Sequence, residues 1–272
     1  MTGATGGIGR EIALGLSRLG ATVIIGARNL QRGNATREAI IAETGTTDRV
    51  LVLALDVADL GSVRAFVEAF RQNFTGLHVL VNNAGAWFTQ RRESPDGIEL
   101  TLATNVLGPH LLTELLTGAL QHTGDARIVN IVSSITGEYD AEDLQFRQRP
   151  YDGFKAYKQS KQALSMLTWG AAARLERAAI TVNAAEPGFV RTDLNRNAHG
   201  ARAAMINLFA RLMAVPPSKG ADTPLWAATS PTLRGVTGKL IAKRRPTEGK
   251  YHDLSAITDL ERRCAALEEG HA

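Results

Sequence analysis

A tyrosine and a lysine four residues apart are the first groups in this chain that could do chemistry together. The segment Tyr157-Lys158-Gln159-Ser160-Lys161 opens a run that continues through Leu164, Leu167 and Leu175, a helical pattern. Positions i and i+4 share one helix face, so the phenol and the ammonium would meet the same space. A phenol with a pKa of about 10 is a poor proton carrier at neutral pH. A nearby ammonium stabilises the phenolate and lowers that value, toward what general acid–base catalysis requires. Such a pair alone also fits an ordinary helix surface. Upstream, Ile128-Val129-Asn130-Ile131-Val132-Ser133-Ser134 reads as a buried strand ending in two serines. Ser134 is expected at its carboxyl end, donating a hydrogen bond to a substrate oxygen and stabilising alkoxide-like charge. Asn105 falls mid-helix in Thr104-Asn105-Val106-Leu107-Gly108, where asparagine has no propensity advantage. It is a candidate to bond backbone groups or water.

A second constellation suits phosphate. The chain opens Met1-Thr2-Gly3-Ala4-Thr5-Gly6-Gly7-Ile8-Gly9-Arg10, then places Ile12, Leu16 and Leu19 at helical spacing. Gly3, Gly7 and Gly9 permit a tight turn and close backbone approach to a diphosphate. The following helix offers unpaired N–H groups and a positive dipole end. A glycine pattern alone fits any turn before a helix. No Walker A Lys-Ser/Thr pair and no His/Cys ligand cluster is present, which disfavours an NTPase or a zinc enzyme.

The next strand ends Ile24-Ile25-Gly26-Ala27-Arg28-Asn29. An NAD site usually puts a carboxylate here, on the adenosine ribose. Its place is held by Gly26 and Ala27, and the Arg28 guanidinium suits a 2′-phosphate. NADP(H) is therefore expected, with NAD(H) second. Asp56-Val57 follows the next strand and Asn82-Asn83-Ala84-Gly85 the one after. Small residues there let backbone approach a ligand, and an amide can tie strand ends together. Pro187-Gly188 reads as a turn.

Taken in order and spacing, from Thr2 to about residue 242, these motifs resemble the short-chain dehydrogenase/reductase family: T-G-x-x-x-G-x-G, N-N-A-G, Ser with Tyr-x-x-x-Lys, and P-G. The finer likeness is to retinol dehydrogenases and the oxidoreductase domain of WW-containing oxidoreductases. The segment Glu138–Phe154, with Asp143-Leu144 and Arg149-Pro150-Tyr151, and Gly238-Lys239 carry it. The resemblance implies an NADP(H)-dependent oxidoreductase that interconverts a carbonyl and an alcohol, with Tyr157 as general acid/base. It implies cofactor contacts from Thr2, Gly3, Thr5, Gly7, Ile8, Gly9, Arg28 and Asn29. Asp56 would meet the adenine amino group with Val57 nearby, and Asn82, Asn83, Ala84 and Gly85 would border the cofactor. Pro187, Gly188 and Val190 would lie beside the nicotinamide, and Thr192 on the diphosphate. Lys161 would also bind the nicotinamide ribose, and Asn105 would hold a water linking Lys161 to solvent. Two departures stand out. Gly6 occupies a place where many NADP-selective relatives are basic, and Glu186 precedes Pro-Gly where relatives are often uncharged or carry His. The segment Asn195–Pro217 is expected to be the substrate loop. Its Met205, Leu208, Phe209 and Met213 suit an apolar cover, an amphipathic helix packing on the body or a partner's surface, so substrate identity stays open; a small-molecule carbonyl or alcohol of apolar character is expected. A non-catalytic NADP(H)-binding regulator is the competing class, disfavoured because Asn105, Ser134, Tyr157 and Lys161 are all retained.

The elements needed to position these residues are legible as short Val/Ile-rich runs: Thr22–Gly26, Val50–Leu55, Val79–Asn82, Arg127–Val132, Thr181–Ala185 and Lys239–Ala242. Runs this apolar suit a parallel sheet buried on both faces. Helical stretches alternate with them, including Val63, Phe66, Val67 and Phe70 behind an Asp59 cap, and Leu102, Val106, Leu112 and Leu116. A single-domain α/β, Rossmann-type doubly wound sheet follows, with ligands beyond the strands' carboxyl ends and a C-terminal extension from about 243 to 272. In that fold the Gly-rich loop joins strand one to helix one. Since Met1 directly precedes Thr2-Gly3, the first strand is expected to lie upstream of residue 1.

Composition bounds the rest. The 272 residues carry a formal charge of +4. The basic residues are scattered except for Lys243-Arg244-Arg245, expected as a solvated loop, so no nucleic-acid groove is anticipated. No apolar run approaches the ~18 residues of a membrane span. The single cysteine, Cys264, excludes an internal disulfide and suits a reducing, cytoplasmic setting. It is expected as a plain helix residue. A homo-oligomer is compatible with this class.

Overall fold

The computed structural model describes residues 1–190 and 214–270. Each of the six expected strands forms, with ends displaced by one residue at most: β1 Val23–Ala27, β2 Val50–Ala54, β3 Val79–Asn82, β4 Ala126–Ile131, β5 Ile180–Glu186 and β6 Leu240–Ala242. β1 pairs with β2, and β3, β4, β5 and β6 pair in that order, all parallel. Met1 and Thr2 stand between the two groups. The Met1 carbonyl accepts from Gly26 N at 2.9 Å, and Thr2 N donates to the Val81 carbonyl at 3.1 Å.

A seventh strand, β7 Arg245–Thr247, runs antiparallel to β6 and corrects the loop expected there. Only Lys243 and Arg244 turn, with φ of 49° and 57°. Both central residues are left-handed, which matches the twist of a two-residue hairpin. The usual signal for that turn is Asn or Gly, and Lys-Arg conceals it.

Helices cover both faces. On one lie α1 Gly7–Arg18, α2 Leu30–Thr44 and, after the short α7 Pro217–Gly220, α8 Asp222–Thr229. They bury Ile12, Ile40 and Ala227 with Ile25, Val81 and Val129 of the sheet. On the other lie α3 Leu60–Asn73, α4 Leu100–Leu102, α5 Gly108–Gln121, α6 Gly153–Leu175 and α9 Leu254–Glu269. They pack on Leu80, Ile128 and Val182. Neighbouring strand residues thus go to opposite cores, as strand alternation requires. Val63, Phe66, Val67 and Phe70 are all buried on α3, and Asp59 caps it, accepting from Ser62 N at 2.9 Å. Cys264 is buried on α9. Among the described residues no helix is long and apolar enough to cross a membrane.

Candidate active site

Beyond the carboxyl ends of the strands lies a cavity of about 820 Å³, which runs from the Gly-rich loop to Tyr157 and Pro187. Its floor is made by backbone. Gly6 offers α1 no side-chain cap and the first turn holds no acid, so the helix N–H groups stay available to an anion. Gly3 is left-handed at φ 66°, and a Cβ on Gly9 would stand 2.2 Å from the Gly3 carbonyl oxygen. Glycine is required at both places.

Two of the expected cofactor residues stand behind this floor rather than in it. Thr2 is buried, and its Oγ1 accepts from the N–H groups of Asn83 and Ala84 at 3.0 and 2.9 Å. Asn83 Nδ2 answers by donating to the Thr2 and Gly3 carbonyls at 3.1 Å each. Asn82 is also buried and donates to Asn130 Oδ1 at 2.9 Å, while Asn130 donates to Thr168 Oγ1 at 2.9 Å. That amide chain ties β3, β4 and α6 together. Thr2 and Asn82 do not line the cavity; their polar groups are committed to the loops and strands that do, which corrects their assignment as contacts.

At the far end Arg28, Asn29, Asp56 and Val57 line the cavity. Arg28 and Asp56 form an exposed ion pair at 3.7 Å. Asn29 caps α2 by accepting from Arg32 N at 2.9 Å. The cap points Arg32 back toward the Gly-rich loop, where its guanidinium donates to the Thr5 carbonyl at 3.4 Å and joins the lining. Arg32 was missed at the level of sequence, although the Asn29 cap signal would have placed it in the first turn of α2.

The other end holds Tyr157, Lys161 and the residues that meet them. Asp152 caps α6, accepting from Phe154 N and Lys155 N at 2.8 and 3.1 Å. Tyr157 and Lys161 are both buried and both face the cavity. The serine that meets them is Ser133, not the expected Ser134. Ser133 lines the cavity with Tyr157, and its hydroxyl favours the phenolate, whereas Ser134 is exposed and does not line it. β4 ends at Ile131, and Ser133 Oγ accepts from Ile135 N at 3.0 Å. This tight hydroxyl turn directs Ser134 outward.

Burial sets the electrostatics. It pushes the Tyr157 phenol above its ordinary value, opposed by the Ser133 hydrogen bond. The expected lowering by Lys161 is therefore not the dominant effect. Burial lowers Lys161 itself to about 8, and its Nζ donates to the Ile131 carbonyl at 2.8 Å. Asn105 sits in a π turn, Ala103–Leu107, rather than in regular helix; such turns often mark functional sites. Its side chain grips Ala86 in both directions, accepting from N at 2.8 Å and donating to O at 2.9 Å, and donates to Ser160 Oγ at 2.9 Å.

Gly3, Thr5, Gly7, Ile8, Gly9, Asn83, Ala84, Gly85, Pro187, Gly188 and Val190 all line the cavity as expected, and Gly188 is left-handed at φ 77°. Glu186 is partly buried and stands outside the cavity lining. Thr192, Met205, Leu208, Phe209 and Met213 lie outside the described residues. An aromatic wall beside Tyr157 was not foreseen: Trp87 and Phe154, ring centroids 5.9 Å apart, with Phe88. The segment from Glu138 to Phe154 is held by Asp143, which accepts from Arg147, Gln148 and Arg149 N. Tyr151 donates from it to Glu99 at 2.9 Å. Among the described residues no group of three or more His, Cys, Asp or Glu is placed to hold a metal.

Comparison with known proteins agrees with this geometry. A family model described as short chain dehydrogenase matches residues 1–203. Mouse retinol dehydrogenase 14 is 38% identical over 252 residues, 88% of this chain and 75% of that protein. Mouse polyprenol dehydrogenase is 38% identical over 275 residues, 97% of this chain and 80% of that protein. A crystal structure of a protein from Mycobacterium Paratuberculosis superposes with a TM-score of 0.77 at 28% identity, covering 98% of this chain and 91% of that one. An NAD(P)-dependent gluconate 5-dehydrogenase from Beutenbergia cavernae with bound NADP has a TM-score of 0.69 at 26% identity, covering 89% and 92%. A 3-ketoacyl-(acyl-carrier-protein) reductase from Brucella melitensis with NADH has a TM-score of 0.67 at 25% identity, covering 88% and 93%. The chain belongs to the short-chain dehydrogenase family of oxidoreductases, within its retinol dehydrogenase-like branch.

Proposed function

We propose that this protein interconverts a carbonyl and an alcohol with NADP(H), using Tyr157 as the proton-transfer group. The observation that carries the reading is the gathering of Ser133 with buried Tyr157 and Lys161 in the same cavity as the Gly-rich loop. The residues present fit the dinucleotide: uncapped N–H groups of α1 for its diphosphate, and Arg28 and Arg32 for a 2′-phosphate. When bound, it supplies the hydride for reduction or accepts it in oxidation.

In the reductive direction the Ser133 and Tyr157 hydroxyls hold the carbonyl oxygen. Burial keeps the proton on the Tyr157 phenol until charge develops on that oxygen. The carbon then gains the hydride and the oxygen gains the Tyr157 proton, giving an alcohol; oxidation reverses each step. A protonated Lys161 stabilises the phenolate left behind and serves the nicotinamide ribose. Asn105 acts as a positioning residue through its grip on Ala86 and Ser160, and a water near it returns the proton to Tyr157.

The preference for NADP(H) rests on two arginines and on the absence of an acid at Gly26 or Ala27. Asp56 partly neutralises Arg28, which leaves Arg32 as its helper. The test is a screen of aldehydes, ketones and alcohols with both cofactors. NADPH is expected to exceed NADH in kcat/KM by about one to two decades, the worth of a charge-assisted contact. Arg28→Ala should narrow that gap, and equal kcat/KM for the two cofactors in the unmodified protein would overturn the preference.

A further inference from the structure

Four cations line the cavity among the described residues, and Asp56 is the one acid. Three of the four are accounted for. Arg28 pairs with Asp56, Arg32 donates to the Thr5 carbonyl, and Lys161 donates to the Ile131 carbonyl. Arg92 has no anionic partner among the described residues. Its guanidinium lies over the Phe88 ring, 5.7 Å from the centroid.

The fold places Arg92 on the Tyr157 side of the cavity. Its carbonyl accepts from Leu100 N at 2.9 Å, closing a turn that leads into α4, and α4 packs on α6. A Cβ on Gly153, the first residue of α6, would lie 1.9 Å from the Phe88 carbonyl oxygen. The Phe88 loop is therefore pressed against α6 one turn before Tyr157, whereas Arg28 and Arg32 belong to the β1–α2 side. Trp87, Phe88, Leu100 and Phe154 give the cavity lining around Arg92 and Tyr157 a mostly apolar character, with Thr104 as a polar member.

We propose that the substrate is an amphiphile, a carbonyl or alcohol joined by an apolar chain to a carboxylate or phosphate group, and that Arg92 binds this anionic end. The inference rests on the oxidoreductase reading of the same cavity. The aromatic wall removes methylenes from water. A guanidinium stacked on an aromatic face keeps its N–H edge free for bidentate contact with an oxyanion. An apolar pocket with a single unpartnered cation distinguishes such a molecule from a plain hydrocarbon aldehyde.

The experiment uses the full chain with NADPH and matched medium-chain aldehydes ending in methyl, carboxylate or phosphate monoester. At least one anionic end should raise kcat/KM over the methyl end by about tenfold, mainly through KM, and added salt should erode the gain. The better of the two anionic arms identifies the group. Arg92→Gln should bring the three substrates to parity with the methyl aldehyde unchanged, and Arg92→Lys should restore part of the preference. Turnover without preference in the unmodified protein overturns the proposal alone, as does an Arg92→Gln loss equal on all three substrates. No turnover on any of these aldehydes with NADPH, or on their alcohols with NADP+, overturns the proposed carbonyl–alcohol reading of this cavity, and this proposal with it.

Discussion

The two ends of the cavity are built on opposite plans. The Gly-rich end is shaped by main chain: left-handed Gly3, the close approach of Gly9, and two loops tied together by Thr2 Oγ1, which accepts from Asn83 N and Ala84 N, and by Asn83 Nδ2, which donates to the Thr2 and Gly3 carbonyls. The Tyr157 end is shaped by side chains gathered from distant segments: Ser133 after β4, Trp87 and Arg92 after β3, Tyr157 and Lys161 on α6. A main-chain site works by steric permission, so only a few residue types satisfy it. A side-chain site works by placement, and single substitutions can remove function without disturbing the fold. The difference predicts large functional and small structural effects at the Tyr157 end.

Lys161 gives the sharpest break between function and stability. Lys161→Met should lower turnover by a factor of at least about 10², the scale of acid–base assistance, and weaken NADPH binding as well. The same change should stabilise the ligand-free fold. Burial lowers the folded-state value of Lys161 to about 8 from 10.5. The unfolded chain therefore binds more protons between those values, and stability rises with pH across that window. At neutral pH the buried ammonium costs about 3 kcal/mol, the free-energy equivalent of that shift. A melting temperature raised by a few degrees together with lost activity is expected. A lowered melting temperature would show that the ammonium holds the fold. The pH–rate profile sharpens the point, because reduction should decline above about pH 8 as Lys161 loses its proton.

The two adjacent serines test the placement argument within one turn. Ser133→Ala should cost about 10² in kcat, as removing one preorganised oxyanion donor does. Ser134→Ala should leave kcat within about twofold, since an exposed serine with no catalytic contact contributes little. The reverse outcome would return the role to Ser134 and overturn the geometry of the turn after β4.

The same contrast explains what the sequence made legible. Steric permission leaves local marks. Gly3, Gly7, Gly9, Asn83, Ala84, Gly85 and Pro187-Gly188 line the cavity where their motifs place them, and the six strands form where their residue runs predict. Placement leaves fewer marks. Ser133 and Ser134 are chemically identical, and only the length of β4 and the hydroxyl turn at Ile135 decide between them. Thr2 and Asn82 carry the right motif but act from behind the wall, because their partners, Ala84 and Asn130, lie far along the chain. Trp87, Phe88 and Phe154 read as ordinary apolar residues until the fold brings two segments together. The π turn at Asn105 looks like unbroken helix at the level of residue pattern, and the β6–β7 hairpin hides behind a Lys-Arg turn.

The central claim is that the Tyr157 hydroxyl transfers the proton, and Tyr157→Phe isolates it. The ring and its packing remain while one hydroxyl is lost. The measurement is NADPH affinity by titration alongside single-turnover reduction of a carbonyl found to be a substrate. NADPH affinity close to that of the unmodified protein, with the chemical step slowed by about 10² or more, is the expected result. A variant that binds NADPH and keeps most of its single-turnover rate would contradict the claim and leave Tyr157 as a packing residue.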